Sequence, residues 1–161
     1  MIVIKLNNEE EYKLEFGFEA AEYKDIVQKM FKMVTGAYLV GDSNIEDEDE
    51  ATTLGNLLNG TANMLSDLPS ICTSAFYAGL LMHENMDKTE AKTLMVTYMK
   101  ENKLNFYSLY EKIKECMEKD GFFDLTGLNE MAKQITESNE EQPKKQRKTP
   151  QDHQKKQTST K

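Results

Sequence analysis

Apolar residues recur at helical spacing along most of this chain, and this pattern constrains the fold more than any other feature of the sequence. The first such stretch covers residues 20–35 and predicts a helix with one continuous apolar face, ended by Gly36. The face is formed by Tyr23, Ile26, Val27, Met30, Phe31 and Val34. A chain made of such stretches is expected to pack their faces together as a helical bundle.

Residues 54–84 carry two further helical patterns. The pattern over residues 54–68 contains Gly55 and Gly60, each of which weakens a helix by about 1 kcal/mol relative to Ala, so it predicts either two pieces or one flexible helix. Pro69 fits the first turn of a new helix, where its missing N–H costs nothing. That helix, residues 70–84, is apolar on most sides and is predicted to be the central, most buried one.

Cap residues predict the helices of the remaining body. Asp87 with Glu90 makes a capping box before an apolar pattern that includes Met95 and Met99. Asn105 is expected to cap the next helix, and Gly121 is expected to end it. A last short helix is predicted over residues 126–136, with Leu128, Met131, Ala132 and Ile135 on its apolar face.

The N-terminal segment changes the period from helical to alternating. Ile2, Ile4 and Leu6 alternate with other residues, as do Tyr12, Leu14 and Phe16, and residues 7–10 between them are turn formers. This predicts a β-hairpin, which is too small to be stable alone and must pack on helices or pair with another chain. The predicted fold class is therefore mainly α, with an N-terminal β-hairpin packed on a bundle of about five to six helices and a disordered C-terminal tail.

Composition divides the 161 residues into a body and a tail. Residues 138–161 contain no Leu, Ile, Val, Phe, Tyr or Met, so we predict a disordered tail there and a helical binding domain over residues 1–137. The net charge of −8 divides the same way, because the tail holds seven Lys/Arg against three Asp/Glu, which leaves −12 for the body. An acidic body disfavours nucleic acid and anionic membranes, and no apolar stretch approaches the roughly 20 residues that span a bilayer.

The sequence shows no catalytic or metal-binding constellation, which predicts a protein that is not an enzyme and holds no cofactor. Cys72 and Cys116 both fall on helical patterns with apolar neighbours and are expected to be buried and unpaired. His83 stands apart from His153, so zinc ligation has no support. A calcium-binding loop that started at residue 42 would require Gly at its sixth position and Glu at its twelfth, and the sequence has Asp and Thr there.

Ten methionines are many for a chain of this length. Flexible thioether side chains fill gaps in helical cores, and they also suit surfaces that repack against a partner. Methionines on a surface that repacks against a partner would predict a groove that binds apolar helical segments. Its candidate partner-binding residues are Met30, Met33, Met64, Met82, Met95 and Met99.

Three segments together resemble a known family. They are the hairpin Ile-x-Ile-x-Leu-Asn-x-x-x-x-Tyr-x-Leu-x-Phe-Gly (residues 2–17), Ala-Phe-Tyr-Ala-Gly-Leu-Leu (75–81) and Asp-Lys-Thr-Glu-Ala-Lys (87–92). With the helical layout over residues 1–135, they resemble the tail assembly chaperones of long-tailed bacteriophages that infect Gram-positive bacteria.

The resemblance implies a non-catalytic protein that binds the tape measure protein and keeps it soluble while the tail tube assembles. It implies work in the host cytoplasm and absence from the mature virion. In many such phages a frameshift gives a longer form that recruits the tail tube protein, and the tail suits the position of such a join. The acidic run 46–50 departs from what the resemblance implies.

Two further expectations concern partners. The basic cluster at residues 144–148 supports an alternative function, a small regulatory adaptor that contacts nucleic acid through its tail. It lacks the interleaved aromatic residues that stack on bases, so nucleic acid is the less favoured partner. The unpaired edge of the hairpin predicts a homo-oligomer, since an open edge is a template for another chain.

Overall fold

In the computed structural model, residues 1–7, 9–37 and 50–140 are described, and within these ranges the chain is mainly helical with an N-terminal hairpin. The predicted fold class is confirmed in this respect. The described helices are α1 (Phe18–Glu22), α2 (Lys24–Val34), α3 (Glu50–Leu80), α4 (Lys88–Glu101), α5 (Phe106–Lys119), α6 (Phe122–Leu125) and α7 (Leu128–Glu140). The acidic residues 46–49 and the tail from residue 141 onward lie outside the described residues.

The hairpin consists of strands β1 (Ile2–Lys5) and β2 (Glu11–Leu14), which pair antiparallel as predicted. Ile2 stands opposite Leu14 in this register. Because side chains alternate between the two faces of a strand, this pairing turns Ile4 and Leu14 to the same side, where both are buried. The hairpin therefore contributes one apolar face to the core.

Two backbone hydrogen bonds fasten the end of β2 to the helices. The Glu15 N–H donates to the Gly79 carbonyl over 2.8 Å, and the Phe16 N–H donates to Asp120 Oδ2 over 3.0 Å. A Cβ at Gly79 would lie 3.0 Å from Phe16 Cζ and 3.2 Å from Leu14 Cδ2. Glycine at this point of α3 is what allows the hairpin to approach so closely.

The structure corrects the prediction that a new helix starts at Pro69. α3 runs without interruption from Glu50 to Leu80 with Pro69 inside it, and it ends at Leu80, short of residue 84. Proline has a helical φ, and what it lacks is the N–H that would bond to the carbonyl four residues earlier, at Leu65. The Leu65 side chain is half exposed. The packing of residues 68–80 holds the helix together across this missing bond.

Other helix boundaries also differ from the predictions. The predicted helix over residues 20–35 is two helices, because Tyr23 takes an extended conformation (φ −76°, ψ 91°) between α1 and α2. The Tyr23 ring packs edge-on against Tyr77 of α3, with ring centroids 5.3 Å apart. The last helix begins at Leu128 and reaches Glu140, which takes it three residues into the predicted tail. The short helix α6 was not predicted.

The predicted caps are confirmed. Asp87 Oδ1 accepts hydrogen bonds from the backbone N–H groups of Thr89 and Glu90, and the Glu90 carboxylate accepts one from the Asp87 N–H. Asn105 Oδ1 accepts from the Ser108 N–H over 2.8 Å at the start of α5. Gly36 and Gly121 both have positive φ, of 66° and 76°. These local signals fix the end of α2, the start of α4 and both ends of α5.

The second half of α3 is the centre of the core, as predicted for the helix over residues 70–84. α3 contacts α1, α2, α4, α5 and β2. Among the side chains of residues 54–80, those that are fully buried lie in this half: Leu68, Ile71, Cys72, Ser74, Ala75, Phe76, Ala78 and Leu80. Phe16 and Phe122 complete the core from the hairpin and α6, with ring centroids 6.1 Å apart in an edge-to-face contact.

Candidate functional site

The groups that most often do chemistry in proteins are held in unreactive settings. Cys72 and Cys116 are free and buried, as predicted. Burial raises the pKa of the Cys72 thiol to about 12 and that of Cys116 to about 11, so both stay protonated and weakly nucleophilic at neutral pH. Among residues 1–7, 9–37 and 50–140, no three His, Cys, Asp or Glu side chains are grouped so that they could hold a metal ion.

A polar network joins α2, α3 and α4. Ser74 Oγ lies 2.6 Å from Asp25 Oδ2 and 2.6 Å from Lys29 Nζ, and Lys88 Nζ lies 3.3 Å from the same Asp25 oxygen. Burial disfavours ionisation of the Asp25 carboxyl, but the hydrogen bonds from Ser74, Lys29 and Lys88 outweigh it and lower the pKa to about 2. Lys88 also donates to the Tyr23 hydroxyl over 3.1 Å.

A serine beside a lysine and a carboxylate is a pattern that nucleophilic catalysis uses. Here the hydroxyl points at Asp25, which is too weak a base at neutral pH to take its proton. Ser74 is also only 1% exposed, so a substrate does not reach it. The arrangement therefore serves to fasten α2 and α4 to the buried half of α3.

The predicted partner-binding methionines do not form one surface. Three of them are core residues, which is the gap-filling role of methionine: Met30, Met95 and Met99. Two are half-buried, Met33 and Met64. Met82 is half exposed, just past the end of α3. The first three are thus closed to a partner in this structure, and a binding role for the other three stays a prediction.

An apolar groove separates α2 from α7. It has a volume of about 840 Å³ and is lined by Val27 and Phe31 on one wall and by Leu128 and Met131 on the other. Phe31 and Met131 are each more than one third exposed, so both present apolar surface to whatever enters. Asp25, Lys29 and Lys32 supply the charged lining of the groove. We call this the α2–α7 groove.

A second apolar surface lies on the first half of α3. Leu54, Leu57, Leu58 and Leu65 are all about half exposed, between 47% and 61%. They follow one another at helical spacing, and the next position of the same face, Leu68, is 2% exposed within the core. We call these four residues the leucine stripe.

Sequence reasoning placed the residues of both surfaces on apolar helix faces but did not predict which of these faces the fold leaves exposed. Phe31, Met131 and the leucines of residues 54–65 all satisfied the helical pattern, and a pattern shows which residues share a face without showing what covers it. One signal was available in advance. Gly55, Gly60 and three asparagines interrupt residues 54–65, and such a composition is unusual for a fully buried helix.

Comparison with known proteins finds no relative for this chain: no protein-family model, curated protein or solved structure matches it. Within the described ranges, no helix combines the length and the apolar character that a bilayer crossing requires. The α2–α7 groove and the leucine stripe are the structural features on which a functional proposal can rest.

Proposed function

We propose that this protein is a non-catalytic tail assembly chaperone that binds the tape measure protein in the α2–α7 groove and keeps it soluble. The observation that carries the proposal is the groove itself, with Phe31 and Met131 exposed on its opposite walls. An amphipathic helix binds such a groove by inserting apolar anchors at positions i, i+3, i+4 and i+7. A tape measure protein is long and largely helical, so it offers segments of this kind many times over.

The charge of the body supports the same role. Residues 1–137 carry a net charge of −12. A chaperone that covers the apolar segments of its client and adds negative charge to the complex keeps copies of the complex apart. The sequence resemblance and the acidic body therefore favour the same kind of activity, which is solubilising a helical client by binding.

The first experiment is co-expression with the tape measure protein of the same genome. We expect the tape measure protein to be soluble and to co-purify with the chaperone, and insoluble when expressed alone. If the tape measure protein stays in the pellet and nothing co-purifies, the proposed function is wrong.

Two variants then test the groove. Met131→Glu places a charge inside it and is expected to weaken co-purification by roughly tenfold or more, because an unpaired charge in an apolar contact is unfavourable. Met82→Glu is the matched control, since Met82 is similarly exposed but lies outside the groove. If Met82→Glu loses binding and Met131→Glu retains it, the client binds at Met82, one of the methionines that the sequence predicted, and not in the groove.

The proposal extends to location and to a second partner. We propose action in the host cytoplasm and absence from the finished virion, which mass spectrometry of purified particles tests directly. A longer frameshifted form would carry the contact to the tail tube protein, and an antibody against this chain would detect it as a second, larger band in infected cells.

A further inference from the structure

The leucine stripe lies at the surface and continues a face that packs inside the core from Leu68 onward. Residues 51–66, which contain it, carry no charged side chain at all. We propose that the stripe pairs antiparallel with the stripe of a second copy of this chain, which gives a two-fold symmetric dimer. In such an interface both copies use the same surface, so the stripe of each copy covers the stripe of the other.

The charge distribution directs a second copy to this stretch of the surface. Two bodies that each carry −12 repel one another over most of their surfaces. Residues 51–66 are the stretch where two copies approach with the least repulsion, because neither brings a charge to it. Pairing there also removes the stripe from water in both copies at once, which doubles the apolar area that each association event buries.

Charge also selects the antiparallel direction. α3 begins at Glu50, the last residue of the acidic run 46–50 in the sequence. A parallel pair would place the Glu50 residues of the two copies side by side. An antiparallel pair that crosses near Gly60 instead sets residue 50 of one copy opposite residue 70 of the other.

Residue 70 lies where α3 enters the body, near three lysines, two of which are bonded to Asp25. Lys29 Nζ is 3.5 Å from the Ser70 carbonyl oxygen. Lys88 and Lys92 line the cleft that Ser70 and Thr73 also line. An antiparallel pair therefore brings Glu50 of each copy towards the lysine-lined end of the partner's surface, at both ends of the interface.

The size of the surface predicts a reversible dimer. The first half of α3, residues 50–67, is about 26 Å long at a rise of 1.5 Å per residue. Two such faces bury on the order of 1,000 Å², which is the lower limit of specific interfaces. We therefore expect the dimer to form and dissociate with concentration rather than to be permanent.

The mass of the full chain in solution is the first test. Light scattering or sedimentation should give about 18.5 kDa at low concentration. The mass should rise towards twice that value at roughly 100 μM and above. Leu57→Glu combined with Leu58→Glu should hold the mass at the monomer value, whereas Leu125→Glu, an equally exposed leucine on α6, should leave dimerisation unchanged. Far-UV circular dichroism checks that each variant is folded.

Cross-linking tests the direction, and the two native cysteines are buried and do not interfere. A disulfide needs Cα atoms within about 7 Å. Antiparallel pairing sets Leu54 beside Leu65 of the second copy. A mixture of Leu54→Cys and Leu65→Cys chains should therefore cross-link on oxidation, and Leu54→Cys alone should not.

Each other outcome overturns the proposal. A monomeric mass at every concentration excludes self-pairing, and if the Leu57→Glu/Leu58→Glu variant then loses the tape measure protein, the stripe belongs to the client. Efficient cross-linking of Leu54→Cys with itself would mean a parallel pair. Because these measurements use the chain alone, they do not depend on whether the proposed function is correct.

Discussion

The two halves of α3 share one helical pattern and have opposite surroundings. The four leucines of residues 54–65 are about half exposed, whereas Leu68, Leu80 and most apolar residues between them are buried. Leu65 and Leu68 make the contrast sharpest, because they are the same residue type one helical turn apart and are 50% and 2% exposed. The difference teaches that a periodic apolar face records which residues must be covered, while the rest of the fold decides whether this chain covers them itself.

The contacts of the second half explain its burial. The hairpin packs on Gly79, and the Glu15 N–H bonds to its carbonyl. Cys72 Sγ lies 3.4 Å from the Phe106 carbonyl oxygen at the start of α5, and Ser74 bonds to Asp25 on α2. These contacts come from segments far away in the sequence, and they all meet α3 beyond residue 67.

The largest predicted effect compares the adjacent leucines directly. Leu68→Ala removes a buried side chain and leaves a cavity, which should lower the free energy of unfolding by about 2–5 kcal/mol. Leu65→Ala should change it by less than about 0.5 kcal/mol, since the side chain is half exposed. Chemical denaturation at low protein concentration, where the monomer dominates, measures both. Equal losses in the two variants would remove the distinction between the halves.

The glycines of α3 predict changes of opposite sign. A Cβ at Gly79 meets Phe16 and Leu14 at 3.0–3.3 Å, so Gly79→Ala should destabilise the fold by about 1–3 kcal/mol. A Cβ at Gly55 meets nothing within 4 Å, so Gly55→Ala should stabilise it by about 0.4–1 kcal/mol through helix propensity and chain entropy. Thermal unfolding followed by circular dichroism gives both signs. Stabilisation by Gly79→Ala would show that the hairpin is not held as closely as described.

The smallest predicted effect concerns the polar network at the buried half. The pKa of Asp25 falls from its ordinary value of 3.8 to about 2 on folding. The folded state therefore binds fewer protons than the unfolded state, and the carboxylate contributes stability that is complete above pH 4 and lost as the pH falls through 2. Because this side chain is more than one third exposed, solvent screening reduces the contribution to below about 1 kcal/mol.

Asp25→Asn measures that contribution. Its free energy of unfolding should fall less steeply than that of the native chain between pH 4 and pH 2. Glu130→Gln on α7, which removes an exposed carboxylate outside the network, is the control substitution. An unchanged slope in Asp25→Asn would mean that the network does not hold α2 to α3 through charge.

Local chemistry made much of the fold predictable. The hairpin alternation, the Asp87–Glu90 capping box and the glycines at 36 and 121 each act within a few residues, so the sequence encodes them directly. The prediction that a helix starts at Pro69 was wrong because it used a local rule, whereas the packing of residues 68–80 stabilises one continuous helix that includes the proline. The break between α1 and α2 at Tyr23 likewise goes with a distant contact, the packing of the Tyr23 ring against the ring of Tyr77.

By itself, the sequence determined the fold class, the end of α2, the start of α4, both ends of α5, and the two buried thiols of Cys72 and Cys116. Only the tertiary structure decided that Met30, Met95 and Met99 belong to the core, that α2 and α7 leave a groove between them, and that the first half of α3 is uncovered. The reason is the separation along the chain over which each kind of interaction acts. Periodicity and caps depend on neighbours within about one helical turn, whereas covering a face depends on which distant segments the folded chain brings to it.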